Sequence, residues 1–397
     1  MNTVKEETAQ LTFEEWIEPY FSLTPKPERG PLRFEAFQEL CAALGHPERA
    51  LPAIHIAGTN GKGSVATMVS RALWCGGIKV GAFTSPHLRH FSERIWACGH
   101  FVAEKWVRKN GDLLFEQCEH LGFSLGFFEW SFLLALRFFA ESKVDVMVVE
   151  AGIGGALDTT NVVNPILAAI TSVGLDHQNI LGKSIDQIAR DKAGIFKPSV
   201  PVVIGPRVPK IAEEIAKSKG CDCIRIEPAE TFMEENQGVA EAILKGLPPA
   251  FFVNEKIIFQ ALKIKPCGRM QVLGKNLVLD VAHNRDAVMR VVPCLENYFK
   301  ALFSVVICFT KDKDIKACLM PLVGKVSFFH VTFFKHLRCA KKEAFEKAFK
   351  ELGIKNYAFY PEVKEGLKIA LEGPSAKVAI LGSFYLAAEC LTFLDKK

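Results

Sequence analysis

No stretch of this sequence stays apolar long enough to cross a bilayer. The longest apolar run, residues 130–140 (WSFLLALRFFA), is broken by Arg137 and falls well short of the roughly 20 residues a spanning helix needs, so it reads as a core helix. Paired metal spacings are missing too. The twelve cysteines are scattered, and the closest two, Cys221 and Cys223, enclose a single aspartate; neither a zinc knuckle nor C-x-x-C is spelled out, and reduced cytosolic thiols are expected. The net charge of +5 is small for the chain; it suits an anionic small substrate and offers no case for nucleic acid. The first ten residues, MNTVKEETAQ, are polar and acidic, unlike a secretory signal. There is no repeat and no low-complexity tract. With 49% apolar and 23% charged residues, the composition is that of a soluble globular protein, expected in the cytoplasm without a membrane partner. Its 397 residues exceed one ordinary core, so two domains are expected.

Strand-like runs alternate with helix-period segments, the pattern of an α/β fold with a mostly parallel sheet and crossover helices. LPAIHIA, IKVGAF, VDVMVVE, ILAAITS and VPVVIG read as buried strands. From about residue 221 to 268 the pattern weakens; NLVLDVAHN then opens a second series, continued by FSVVICF, KVSFFHVTFF and KVAILGS. A linker is placed at about 263–276, where Pro266 and two glycines interrupt the periodicity. The resulting division is an N-terminal P-loop domain over 1–272 and a smaller C-terminal domain over 273–397.

Between LPAIHIA and a helix-period segment lies GTNGKGS, residues 58–64. It departs from the usual G-x-x-x-x-G-K-[ST] loop in glycine spacing and hydroxyl position, yet keeps the strand–glycine loop–helix context. In that context, backbone N–H groups and the helix N-terminus can hold phosphates, Lys62 can reach the β/γ-phosphates, and Ser64 can meet Mg²⁺. The plainer alternative is a turn with Ser64 as helix cap. Later strands end in Thr84, Ser85 and His87, in Glu150 followed by a second glycine loop and Asp158, and in Asp176 and His177. Strand carboxyl ends are where open α/β sheets bind ligands, and oxygen ligands with an occasional imidazole suit Mg²⁺. Ser184 and Gln187 form a capping box for the next helix. On it Ile185, Ile188 and Lys192 share one stripe, which puts an ammonium on an apolar face. On the residues alone, a stem reaching the surface is the preferred reading of that lysine.

Taken together, HIAGTNGKGS, FTSPHLRHFSERI, EAGIGGALDTTNVV, ITSVGLDHQNILG, DKAGIFKP, GRMQVL and LDVAHNRDA resemble, in order, the folylpolyglutamate synthase/dihydrofolate synthase family of the Mur ligase superfamily. The likeness runs from about residue 54 to the end, and DVAHN resembles the bacterial bifunctional form. It implies a P-loop domain followed by a smaller Rossmann-like domain. The implied reaction is ATP-dependent: a carboxylate of dihydropteroate or a reduced folate becomes an acyl phosphate, which the amine of L-glutamate then captures. By the resemblance, Asn60, Gly61, Lys62, Gly63 and Ser64 hold the ATP phosphates, Arg269 in the linker contacts them, and Asp280 from the second domain reaches the nucleotide. Ser85, Glu150, His177 and Lys192, the last as a carbamate, hold magnesium, expected as two ions. Lys62, Lys192 and His177 carry the catalysis. Phe127, Phe128, Glu129 and Trp130, with Leu157, Asp158 and Thr159, meet the pterin acid. Relatives are commonly monomers, so a monomer with small-molecule partners only is expected.

This sequence departs from the family pattern in places. Ala156 stands where arginine is common, Arg285 replaces the proline usual after AHN, and CFTKDKDI (308–315) matches loosely. The asparagine-alanine-rich segment that seats adenine is not recognisable, and its residues go unassigned. Two rival readings are kept: a Mur-type ligase acting on a cell-wall nucleotide precursor, and a P-loop NTPase that performs no ligation.

Overall fold

Short apolar strands flanked by helices fix the frame of the first unit. The structure, a computed structural model, describes residues 11–24, 30–373 and 377–395; the polar first ten residues read above as unlike a signal lie outside them. In chain order the first strands are β1 (Ala53–Ala57), β2 (Val80–Phe83), β3 (Ile95–Ala97), β4 (His100–Phe101), β5 (Val146–Glu150), β6 (Pro165–Ile170), β7 (Val202–Ile204) and β8 (Cys223–Arg225). Among the described residues these eight form one sheet in the order β4-β3-β2-β5-β1-β6-β7-β8. The β2–β3 and β3–β4 pairings are antiparallel and the others parallel. The central strands are buried on both faces, which is why they read as unbroken apolar runs. In β5, Met147 and Val149 pack with Trp130, Phe132 and Phe139, whereas Val146 and Val148 pack with Val65, Met68 and Val69 on the opposite face. That alternation is the two-residue period of a strand.

The apolar run that is too short for a membrane is the helix Phe127–Glu141, with Trp130, Phe132, Leu134 and Phe139 fully enclosed. No described helix is long and apolar enough to cross a membrane, and all twelve cysteines are free thiols. Residues 221–268, where the pattern weakens, are nonetheless ordered. They hold β8 and the helices Phe232–Gly246 and Glu255–Ala261, and Val239, Ile243 and Leu244 enter the core beside Val65 and Met68. The periodicity is masked because Glu235 and Asn236 are buried on the same helix and because β8, which among the described residues pairs only with β7, stays partly exposed.

The chain divides into two units: Met1–Val173, His177–Pro228 and Glu234–Ile264 form the first, and Gly174–Asp176, Ala229–Met233 and Lys265–Lys397 the second. The second contains β9 (Gln271–Gly274), β10 (Leu277–Leu279), β11 (Phe303–Ile307), β12 (Val326–Thr332), β13 (Tyr357–Tyr360) and β14 (Val378–Leu381). Their order is β13-β12-β11-β14-β10-β9, antiparallel only at β9–β10. Two sheets of this kind, each in its own unit, are the α/β architecture expected from the sequence.

Candidate active site

The loop after β1 is held from behind by the end of β6. Thr171 and Ser172 hydroxyls donate to the Asn60 carbonyl at 2.7 and 2.9 Å. Asn60 N–H donates to Ser172 Oγ at 3.1 Å, and Thr59 N–H to the Ser172 carbonyl at 2.8 Å. A Cβ on Gly58 would lie 2.0 Å from Thr171 Oγ1, so only glycine lets the strands close there. Gly61 caps the helix Lys62–Cys75 at φ +89, a left-handed conformation open to glycine at no steric cost. A Cβ on it would lie 2.2 Å from Asn236 Oδ1. Gly63 and Ser64 begin that helix, whose first-turn N–H groups have no carbonyl partners of their own.

Lys62 Nζ donates back to the Gly58 carbonyl at 2.9 Å, and Lys192 Nζ donates to the same oxygen at 3.0 Å. Lys192 is only 3% exposed. The stem-to-surface reading is therefore corrected: the capping box at Ser184 and Gln187 forms and starts the helix Ile185–Lys192, and the stripe carries the lysine inward. Glu150, buried at the end of β5, lies 3.9 Å from Lys62 Nζ and accepts from Ser85 N–H at 3.0 Å. A Cβ on Gly63 would approach Glu150 Oε2 to 3.3 Å. Lys62, Ser85, Glu150 and Lys192 are thus brought to one place, two ammonium groups and one carboxylate around the phosphate loop. His177 stands at φ +50 ahead of the short helix Gln178–Leu181, and its backbone carbonyl accepts from the Ile180 and Leu181 amides.

The glycine loop that leads to Leu157, Asp158 and Thr159 packs on Phe128, since a Cβ on Gly152 would touch that ring at 2.8 Å. Asp158 Oδ2 accepts from Ile153 N–H at 2.8 Å, and Oδ1 accepts from Thr160 N–H and its hydroxyl at 3.0 and 2.6 Å. Leu157 and Thr159 flank it, half-buried. Phe127 and Phe128 keep accessible surface, and the Arg94 guanidinium lies 5.0 Å from the Phe127 ring centre. Arg94 also donates to His87 Nδ1 at 2.8 Å; burial and then the Arg94 charge push His87 down to about 3. Glu129 and Trp130 differ from their neighbours. Trp130 has no exposed surface and packs on Tyr20 and Trp16. Glu129 accepts from Gly126 N–H, and both its oxygens face Arg33, which also donates to the Ser124 carbonyl. In this structure both stand behind the Phe127–Phe128 surface and support it. Removing one member of such an enclosed pair strands a buried charge, so Arg33→Ala is expected to cost about 3–5 kcal/mol. Calorimetry should show the melting temperature falling by at least about 5 °C; an unchanged midpoint would show that the pair contributes nothing.

In the second unit, Asp280 is enclosed, and burial raises its carboxyl while the Arg269 charge opposes the rise. Its oxygens accept from Met270 and Ala282 N–H groups, both at 2.8 Å, fixing the bend that carries Arg269. Arg269 lies over the Phe384 ring at 5.4 Å. The Gly174–Asp176 segment packs with this unit. There Asp176 accepts from Asn284 Nδ2 at 2.9 Å and from Lys313 Nζ at 2.6 Å, which gives the loosely matched CFTKDKDI segment a partner. The reading missed Thr171, Ser172 and Asn236. Asn236, in EENQGVAEA, carries no local signal, because glutamate and glutamine flank it on a helix that buries polar residues.

No family model matches the chain. Among curated proteins, the dihydrofolate synthase/folylpolyglutamate synthase of Buchnera aphidicola subsp. Acyrthosiphon pisum is 30% identical over 378 residues, covering 85% of this chain and 88% of that protein. Among solved structures, Escherichia coli FolC in complex with DHPP and ADP superposes with a TM-score of 0.83 at 26% identity, covering 97% of this chain and 96% of the other. A bifunctional folylpolyglutamate synthase/dihydrofolate synthase with Mn, AMPPNP and L-glutamate bound gives 0.86 at 27% identity, covering 98% and 99%. With the phosphate loop and its carboxylate and lysine neighbours in place, this likeness along almost the whole chain means that it belongs to the dihydrofolate synthase/folylpolyglutamate synthase family.

Proposed function

We propose that this chain is an ATP-dependent ligase that joins L-glutamate to dihydropteroate and to reduced folates. The observation that carries the reading is the meeting of Lys62 and Lys192 on the Gly58 carbonyl with Glu150 alongside. A carboxylate is a poor electrophile until one oxygen becomes a phosphate leaving group. The loop residues Asn60, Gly61, Lys62, Gly63 and Ser64 would hold the ATP phosphates, with the amides of 61–64 facing them, while the acceptor carboxylate attacks the γ-phosphorus and ADP departs. The glutamate amine would then attack the acyl carbon, expelling phosphate and losing a proton. Positioning and charge neutralisation account for most of such catalysis. Lys62 supplies a positive charge, and Arg269 and Asp280 would serve the nucleotide. Asn236, against Gly61, would be one more side chain beside the nucleotide.

Ser85, Glu150, His177 and Lys192 would hold magnesium, as two ions, whose charge offsets that of the transferring phosphoryl group. The donor set fits if Lys192 is a carbamate. A neutral amine adds CO₂ and releases a proton, turning the second of two crowded cations into an oxygen ligand. Phe127, Phe128, Leu157, Asp158 and Thr159 would receive the pterin acid. The same reading makes the protein a cytoplasmic monomer, in keeping with its free thiols.

The test is purified protein with MgATP, labelled L-glutamate and, in turn, dihydropteroate, a reduced folate or a UDP-muramyl acceptor. Equal amounts of ADP, phosphate and glutamyl product are expected with the pterin acids. Phosphate release with the muramyl acceptor alone, or ATP turnover indifferent to both co-substrates, would replace this reading with one of its rivals.

A further inference from the structure

β1 carries one polar side chain among apolar ones, and it has no exposed surface. A buried imidazole costs free energy unless its nitrogens are used, so what His55 holds decides what it does. Its Nε2 lies 2.8 Å from Thr160 Oγ1, and Thr160 Oγ1 lies 2.6 Å from Asp158 Oδ1. The carboxylate can only accept, so the hydroxyl proton points to Asp158. The hydroxyl oxygen is then left with lone pairs, and His55 Nε2 must carry the hydrogen. Consistently, Nδ1 is the nitrogen with no hydrogen-bond partner among the described residues. Burial, and then the Lys197 charge, push His55 down to about 3, which keeps the ring neutral and in this one tautomer near neutral pH. The relay runs in one direction, from the floor of the sheet to the Asp158 carboxylate, whose other donors are the Ile153 and Thr160 amides.

We infer that His55 is a positioning residue: through the Thr160 hydroxyl it fixes the Asp158 carboxylate, and with it the loop that presents Leu157, Asp158 and Thr159 to the pterin acid. This rests on the proposal that those three residues meet that substrate. A residue acting so alters acceptor binding and leaves ATP binding alone, which mere support of the fold would not do.

The experiment measures KM for dihydropteroate and for ATP in His55→Leu, His55→Gln, Thr160→Val, Thr160→Ser and Asp158→Asn. Thr160→Val keeps the shape of the site should His55→Leu fold poorly. Loss of the imidazole–hydroxyl bond in His55→Leu, or of the hydroxyl–carboxylate bond in Thr160→Val, is expected to raise the dihydropteroate KM about tenfold, with the ATP KM within about twofold of the parent. His55→Gln, whose amide nitrogen can stand where Nε2 stood, and Thr160→Ser should stay within about threefold. If Asp158→Asn raises the acceptor KM and neither His55→Leu nor Thr160→Val does, the inference about His55 fails alone. If Asp158→Asn leaves the acceptor KM unchanged while ligation proceeds, the substrate contact itself is wrong and this inference goes with it. A parallel rise in both KM values would mark His55 as general support and overturn it as well.

Discussion

Lys192→Ala is expected to lose at least about 99% of glutamate ligation, with part of the rate restored by formate or acetate. Removing one charged group that faces a transferring phosphoryl group commonly costs about a hundredfold to a thousandfold. Lys192 is enclosed and fastened to the Gly58 carbonyl, the atom on which Lys62 also converges. As two ammonium groups they crowd one acceptor; as ammonium and carbamate they attract, and an oxygen ligand is added beside Glu150. A short carboxylate that enters the space left by the alanine supplies those oxygens without the covalent link. Turnover is measured with and without the added acid, alongside melting temperature. A variant within threefold of the parent would remove Lys192 from the machinery. Complete loss without rescue in a normally folded variant would mean that the ammonium, and not its carbamate, is the working form.

How far the site could be read in advance depended on how local its causes are. The phosphate loop is visible because β1, the glycines and the helix Lys62–Cys75 are contiguous, and the stripe that carries Lys192 because Ser184 and Gln187 fix where its helix starts; that the ammonium turns inward was not legible, since its acceptor, the Gly58 carbonyl, lies 134 positions earlier. What braces the loop was out of reach. Thr171 and Ser172 bond residues more than a hundred positions earlier, and do so only because β6 lies beside β1 in the sheet. Asn236 comes from a helix whose buried polar residues hide its period. Glu129 and Trp130 show a different limit. A resemblance supplies positions, but whether a side chain faces out depends on partners such as Arg33 and Tyr20, far away in the chain.

Two consecutive residues tie the halves of the site together. Asp191 Oδ1 accepts from Gly155 N–H, and the Asp191 carbonyl accepts from Ala156 N–H, both at 2.8 Å; Lys192 then reaches the Gly58 carbonyl. One helix end therefore pins the loop proposed for the acceptor acid and the loop proposed for the phosphates. A Cβ on Gly154 would meet Asp191 Oδ1 at 2.2 Å, so the first contact is as close as glycine permits. Holding donor and acceptor loops at a fixed spacing is what converts two bound molecules into a reacting pair.

Gly61→Ala tests the other end of that arrangement and is expected to lower kcat/KM for ATP by about a hundredfold to a thousandfold. Two effects add. At φ +89 an L-residue is strained by roughly 1–2 kcal/mol. The new methyl would also lie 2.2 Å from Asn236 Oδ1, and Asn236, on a packed helix, is itself only 9% exposed, so either the side chain swings away or the loop shifts. A shifted loop turns the amides of residues 61–63 away from where the phosphates would lie, and a displaced Asn236 no longer fixes the loop, while the cores on either side of the sheet stay intact. The melting temperature should therefore move by no more than about 3 °C, the scale of one strained residue. The double variant Gly61→Ala with Asn236→Ala separates the causes. Relief of the clash alone should recover about a tenth of the parent kcat/KM at best, because the backbone strain remains. A Gly61→Ala protein within about fivefold of the parent would show that the loop tolerates a side chain at its helix cap. The close fit between Gly61 and Asn236 would then have no part in holding ATP.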